Sequence, residues 1–294
     1  MMNWLDKMQE EAAAARPPVW VISDGTAGMR LQAVALAKAL DLPFTELELR
    51  PSLSLRLFPS LGRVPGWPVS ALRAARPKIS DLPPLIITCG RRMAGISFVL
   101  RRQGRNLHQG GVRTIHIGDP RLPSHWFDLL VVPAHDPAAQ LAQDNPQILV
   151  STGSLHAHNA HSIGQAAMIL PRAWADFKAP YIAVMIGGDN KRYAITAAQM
   201  ADFAETLKAL AKNQRAGLAL VPSRRTPKPL LKALTERLGD IRHLIYDPAS
   251  DDFNPYPGIL SRAKAVVVTS DSVNMTSEAC ITGLPVLSYF WQPE

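Results

Sequence analysis

The sequence predicts an α/β protein built of two Rossmann-like domains facing across a cleft. Three observations carry that prediction. The chain has 294 residues and 47% apolar content, enough for two domains of ~150 residues, each with its own core. Short β-rich apolar runs alternate with helix-period segments along its length, the pattern of parallel sheets covered on both faces. The alternation comes in two series, separated by a polar helical bridge near residues 155–180 that ends at Pro180.

The elements follow in order. VWVIS (19–23) is a strand; DGTAG turns the chain into the helical pattern MRLQAVALAKAL (29–40). FTELEL (44–49) and LPPLIITCG (82–90) are the next strands, and helix-like RRMAGISFVLRRQG follows the second. VRTIHIGDP (112–120), FDLLVVPAHD (127–136) and QILVSTG (147–153) complete the first series. After the bridge, YIAVMIGG (181–188) opens the second, which continues through AGLALVPSRRTP, IRHLIYDP and AKAVVVTSDS with helices such as TAAQMADFAETLKALAKNQ between them. The expected domains are 1–155 and 181–294, with 156–180 as the bridge.

Composition narrows the class. No apolar run approaches the ~18 residues of a membrane span, and the acidic N-terminus MMNWLDKMQEEAAAARPP lacks the apolar region of a signal peptide. A cytoplasmic protein is expected. Cys89 and Cys280 are the only cysteines, too few for a disulfide framework or a Cys-based zinc site, and are read as small buried residues. The net charge of +8 is uneven: Arg50 to Arg105 holds eleven Lys/Arg and one acid, Asp81. Within it RPSLSLRLFPSLGRVPGWP (50–68) interleaves Leu, Phe and Trp with Arg, which suits an anionic lipid surface at the inner membrane face; the alternative is a solvated basic face with core leucines. No nucleic-acid partner is expected, since no zinc finger or RNA-recognition motif is present. The first turn reads G-x-x-G, not G-x-G-x-x-G, so no nicotinamide cofactor is expected. His156, His158 and His161 are read as part of a polar bridge rather than as metal ligands, and no metal or other cofactor is expected.

In this architecture ligands bind beyond the carboxyl ends of the strands. Three strand ends of the second series carry residues suited to a phosphate or sugar. Gly187, Gly188, Asn190 and Tyr193 follow YIAVMI, where glycines allow close backbone approach and a helix begins near Thr196. Pro222, Ser223, Arg224, Arg225 and Thr226 follow AGLALV and offer two hydroxyls and two guanidinium groups. Ser270, Asp271 and Ser272 follow KAVVVT and open a helix containing Ser277 and Glu278. Free N–H groups at that helix start would receive a diphosphate, and a carboxylate within the helix would accept from a ribose diol. Ser, Thr and Asp are also ordinary helix caps.

The pattern S-D-S-x-x-x-x-S-E-A-x-x-x-G-x-P-V at 270–286 resembles the nucleotide-sugar site of two-domain GT-B glycosyltransferases, in which the Glu at the position of Glu278 holds the ribose. Beyond that, DGTAG…Q (24–32), CGRR (89–92), HIGDPR (116–121), TGSLH (152–156), IGGDNKRY (186–193), PSRRTP (222–227), NPYPGIL (254–260) and TSDSVNMTSEA (269–279) resemble the family named after the plant mitochondrial fission protein (Elongated Mitochondria). The resemblance implies a GT-B-like fold and a nucleotide-diphosphate sugar as ligand; Gly25 and Gly28 are read as further nucleotide-sugar-binding positions, Gln32, Arg91, Arg92 and His156 as other cleft positions, and His116 and Asp119, after the HIG strand, as weaker ones. It also implies either sugar transfer to a lipid-linked or envelope acceptor, or a non-catalytic scaffold. The family pattern places a His after the glycine of the first loop; here that position is Met29, which leaves Asp24 as the candidate general base, or else as a helix N-cap. GT-B chains usually add a helix after the last strand; with the ending WQPE, either that helix is missing or the chain is a shortened form.

Overall fold

The computed structural model describes residues 18–49, 78–190, 194–247 and 253–291. The basic stretch 50–68 and Tyr193 lie outside the described residues. The chain forms two compact units, residues 1–157 and 158–294.

The first unit is a six-stranded parallel sheet in the order β2-β1-β3-β4-β5-β6. Its elements are β1 (Val19–Ser23), α1 (Ala27–Ala39), β2 (Phe44–Glu48), β3 (Leu85–Cys89), α2 (Arg91–Gln103), β4 (Arg113–Ile117), β5 (Leu129–Pro133) and β6 (Ile148–Ser151). Successive strand residues point to opposite faces, and both faces are apolar. Val19 and Val21 of β1 pack with Leu85, Ile87 and helix α1 through Ala33 and Ala37. Ile22 and Ile86 pack on the other face with Met93, Ile96 and Leu100 of α2. Burying such a side chain is worth ~1.5–3 kcal/mol, so the continuous apolar runs that predicted a doubly covered parallel sheet also hold it together. Edge strand β2 instead carries Glu46 and Glu48, charges that discourage pairing with another chain.

The second unit is a five-stranded parallel sheet in the order β11-β10-β7-β8-β9. It comprises α3 (Ala160–Met168), α4 (Arg172–Ala175), β7 (Tyr181–Ile186), α5 (Ala197–Gln214), β8 (Gly217–Pro222), α6 (Lys228–Leu238), β9 (His243–Ile245), α7 (Tyr256–Arg262), β10 (Ala265–Thr269), α8 (Val273–Cys280) and β11 (Val286–Tyr289). Ile182, Val184 and Ile186 pack under α5 and α6; Ala183 and Met185 pack on the other face with Ile163 of α3, Ile259 of α7 and Ala279 of α8. Helix α3 thus belongs to this core, and Gly258 permits it: a Cβ there would meet the Ala166 carbonyl at 2.7 Å. Helix α5 starts where Thr196 predicts. Its hydroxyl accepts from Gln199 N at 3.2 Å while Gln199 Oε1 accepts from Thr196 N at 2.8 Å, a reciprocal cap.

Two expectations need correction. Cys89 is buried as predicted, but Cys280 is exposed, because it ends α8 while its neighbour Ala279 takes the inward position. His116 does not line an open strand end: it lies inside β4 with no exposed surface.

Candidate functional site

Each sheet has one topological switch point, where the connections leave two neighbouring strands in opposite directions; ligands of open α/β sheets bind beyond the strands' carboxyl ends there. In the first unit that point lies between β1 and β3, in the second between β7 and β10.

The second unit's switch point is organised around Asp271. Its side chain is fully buried. Oδ2 accepts from Gly188 N at 3.0 Å and from Arg225 Nη2 at 3.4 Å. Oδ1 accepts from Thr269 Oγ1 at 2.7 Å and Trp291 Nε1 at 3.2 Å. One carboxylate therefore joins the ends of β7, β8, β10 and β11. Arg225 also donates to the carbonyls of Gly188 and Asp189, and Thr226 Oγ1 donates to that of Gly187. The glycines are dictated by this closeness: a Cβ on Gly187 would run into the Asp271 carboxylate, and one on Gly188 into the Arg225 backbone. Asn190 Nδ2 reaches the Asp271 carbonyl at 3.4 Å.

Around this hub sit the remaining candidates. Ser223 Oγ accepts from Arg225 N at 3.2 Å and meets Thr226 Oγ1 at 3.1 Å, holding the turn after β8. Arg224 in that turn is exposed. Ser270 Oγ is buried with no hydrogen-bond partner among the described residues. Ser272 is the N-cap of α8 and accepts from Met275 N at 3.5 Å. Ser277 donates to Val273 O one turn back at 3.0 Å. Glu278, in the middle turn of α8, accepts at Oε2 from Tyr256 Oη at 2.9 Å. Burial and the Glu278 carboxylate push the Tyr256 phenol well above its ordinary pKa, so it remains a donor at any working pH and fixes the carboxylate's orientation.

In the first unit the structure brings Asp24 and Arg92 together, from the ends of β1 and β3, with Oδ2 to Nη1 at 3.2 Å. Asp24 Oδ1 accepts from Thr26 N at 3.0 Å. That bond closes a turn two residues long; the N-cap position of α1 belongs to Thr26, which corrects the N-cap alternative for Asp24. Burial works to raise the Asp24 pKa, but the hydrogen bonds from Thr26 and Arg92 and the Arg92 charge outweigh it and hold the carboxyl below its ordinary value. Gly25, at φ 83°, sits against the Glu48 carboxylate; Gly28 lies in the first turn of α1 and Gln32 is buried further along it. Arg91 is exposed at the start of α2. Asp119 Oδ1 accepts from Arg121 N at 2.8 Å, closing the turn after β4. His156 is half-buried beyond β6. Met29 packs its sulfur against Cys89 Sγ at 3.5 Å and over Gly90. Burial, with the charges of Asp24 and Asp136, pushes the Cys89 thiol up to about 12, so it is no nucleophile. His116 Nδ1 lies 2.7 Å from Thr88 Oγ1, and burial lowers its pKa to about 3; it is a neutral core side chain.

Sequence reasoning missed the roles of Tyr256 and Trp291, and it read Thr226 and Thr269 as ligand-side residues where the structure has them bonding the Gly187 carbonyl and Asp271. Tyr256 stood in the quoted stretch NPYPGIL without an assignment, and no sequence pattern pointed to Trp291. Among the described residues no group of three or more His, Cys, Asp or Glu is placed to hold a metal, and no helix is long and apolar enough to cross a membrane.

Comparison with known proteins places this architecture. Among solved structures, UDP-GlcNAc 2-epimerase from Neisseria meningitidis bound to UDP-GlcNAc matches with a TM-score of 0.55 at 12% identity, over 94% of this chain and 82% of that one. The S. aureus MnaA–UDP structure matches with a TM-score of 0.55 at 13% identity, over 93% and 79%. The fold is therefore GT-B-like. Protein RP120 of Rickettsia prowazekii (strain Madrid E) is 30% identical over 301 residues, 92% of this chain and 83% of that protein. The Mitochondrial fission protein ELM1 of Arabidopsis thaliana is 32% identical over 227 residues, 70% of this chain and 51% of that protein. The family model described as Mitochondrial fission ELM1 matches residues 27–291. With nearly the whole chain inside that match, the protein belongs to the mitochondrial fission ELM1 family.

Proposed function

We propose that the second unit binds a nucleoside-diphosphate sugar at the β7–β10 switch point. The observation that carries this reading is the pairing of Glu278 with Tyr256 beside loops that Asp271 ties together. Asp271 and Arg225 are spent on building the turns. The diphosphate then falls to the exposed Arg224, the unpartnered Ser270 hydroxyl and the N-terminal N–H groups of α8. Glu278, oriented by a phenol that stays protonated, takes the ribose hydroxyls. The solved neighbours holding UDP-GlcNAc or UDP are consistent with this. Calorimetric titration with uridine, guanosine, adenosine and cytidine diphosphates tests it: binding of at least one is expected, and binding of none removes the reading.

In the catalytic form of this reading, the sugar passes to a lipid-linked or envelope acceptor with Asp24 as the base. A second, non-catalytic reading is favoured by Asp24 itself. A general base works best with a pKa near the working pH, whereas Asp24 is held low and paired to Arg92. A protein that keeps the nucleotide site and uses its basic stretch 50–68 to sit on the inner membrane face needs no base. Co-sedimentation with acidic vesicles at low salt, released as salt rises, is the expected result for that surface; equal recovery with neutral vesicles discards it.

A further inference from the structure

In the second unit, helix α3 ends at Met168 and Ile169 follows it, and these two side chains are 85% and 66% exposed. Single exposed apolar residues are ordinary on a protein surface; an adjacent pair this far into solvent is not. The pair is presented on a fixed element. Leu170, next in the chain, packs on α7 so closely that a Cβ on Gly258 would meet its side chain at 2.8 Å.

The charge around this pair has one sign. No Asp or Glu occurs between Asp144 and Asp176, or between Asp252 and Asp271, so α3, α4 and α7 hold no carboxylate. Two nearby cations have other work: Arg172 pairs with Asp176 at 3.4 Å. Arg242, with Asp240 beside it in the chain, is engaged by the carbonyls of Lys178 and Pro180 and by the Phe177 ring. That leaves Lys178, Arg262 and Lys264, all exposed. Arg262 donates only to a neutral acceptor, the Ala175 carbonyl, at 3.4 Å. Among the described residues neither lysine ammonium has an ion-pair or hydrogen-bond partner. A cation in the last turn of a helix answers the macrodipole, which accounts for Arg262 but not for two lysines on the approaches to β7 and β10. The three sit together at the amino edge of the sheet. Lys264 N donates to Tyr181 O at 2.8 Å where β10 and β7 begin, and Ala175, which meets Arg262, lies three residues before Lys178. Gly258, against Leu170, is one turn of α7 from Arg262, ~6 Å along the helix.

We propose that this amino edge of the second unit docks on an anionic lipid bilayer, with Met168 and Ile169 entering the headgroup region and Lys178, Arg262 and Lys264 meeting lipid phosphates. Long cationic side chains around an apolar tip keep their charges at headgroup level while the tip is buried. A second copy of the chain fits less well, because a symmetric contact would set these cations against their own counterparts. Strand β7 has six residues, ~20 Å, so docking here leaves the β7–β10 switch point at the other end of the sheet, facing water. The proposal stands whether or not that point binds a nucleotide.

The test uses the full chain at low salt with two kinds of vesicle, phosphatidylcholine alone and phosphatidylcholine mixed with phosphatidylglycerol. Hydrogen peroxide converts exposed methionine to the sulfoxide, and peptide mass spectrometry follows Met168. Mixed vesicles are expected to slow its oxidation severalfold, and phosphatidylcholine alone to leave it unchanged. Met168→Ser with Ile169→Ser should lower affinity for the mixed vesicles roughly tenfold or more at an unchanged melting temperature, since both side chains already face water. Lys178→Glu with Lys264→Glu should weaken it as well. The stretch 50–68 is intact in every variant, so binding through it does not enter the difference. Mixed vesicles that bind the chain but leave Met168 oxidation unchanged overturn the proposal, as does a wild type that binds neither kind. Protection of Met168 that grows with protein concentration in the absence of vesicles makes this face a contact between copies and overturns it too.

Discussion

Glu278 and Asp24 are both carboxylates near the carboxyl edge of a parallel sheet, and their neighbours give them different work. Glu278 is met by a neutral donor, Tyr256, which orients it without neutralising it. Replacing Glu278 by Ala removes a hydrogen-bond acceptor whose bond to a ligand is worth ~1.5–3 kcal/mol as a charged partner. Nucleoside-diphosphate affinity is therefore expected to fall roughly 10- to 150-fold, read by titration, along with a lower melting temperature from the buried Tyr256 phenol left without its acceptor; equal affinity would make Glu278 a structural partner of Tyr256 only. Asp24 is met by a cation. Its folded pKa lies below its ordinary 3.8, so its pairing stabilises the fold above that pH, and the contribution is lost as pH falls through the folded value. Asp24→Asn should consequently lower stability at pH 7, and by less as pH falls below 3.8 towards the folded value, as followed by denaturant unfolding. Should the catalytic reading hold, the same variant abolishes turnover while nucleotide affinity stays; retained turnover makes Asp24 a structural ion-pair partner.

At the scale of elements, the strands and helices were legible because period and composition agree. Runs such as YIAVMI and AGLALV are apolar on both faces, and only a central parallel strand needs that. Strand-end chemistry was legible as position but not as partnership. The turn residues Gly187, Gly188, Arg225 and Asp271 read as ligand groups, since each type suits a phosphate, yet the structure joins them chiefly to one another. No single-sequence pattern reports that Asp271 is reached from four strands, because its partners are spaced over a hundred residues apart in the chain at the extremes, Gly188 to Trp291. Exposure of Cys280 was likewise invisible, since it depends on which side of an eight-residue helix meets the sheet. The glycine turn separates the two explanations experimentally. Gly188→Ala places a methyl group against the Arg225 backbone, and overpacking of this kind costs ~1–3 kcal/mol. The expected result is a lower denaturation midpoint with unchanged slope; normal stability with lost nucleotide binding would instead assign the glycine to ligand approach.

At the scale of the whole molecule, each unit has a sheet and cores of its own, and one stretch of the first concentrates positive charge. Residues 50–105 carry eleven basic groups and one acid while the chain as a whole is at +8, so the remaining residues are slightly acidic. The proposal that the second unit, with its Asp271-centred turns, holds the nucleotide is measurable by position through linkage. A ligand that binds only the folded state stabilises it by RT ln(1 + [L]/Kd), ~2.7 kcal/mol at one hundred times Kd. Backbone amides that exchange through opening of the second unit should slow by the same free energy, roughly a hundredfold, when the best-binding nucleoside diphosphate is added. Hydrogen exchange resolved by peptide should therefore show protection in β7, β8, β10 and α8, and much less in β1 to β6. Protection concentrated in the first unit would move the nucleotide to the β1–β3 switch point, where Asp24 and Arg92 meet, and would leave the Glu278–Tyr256 pair a packing contact.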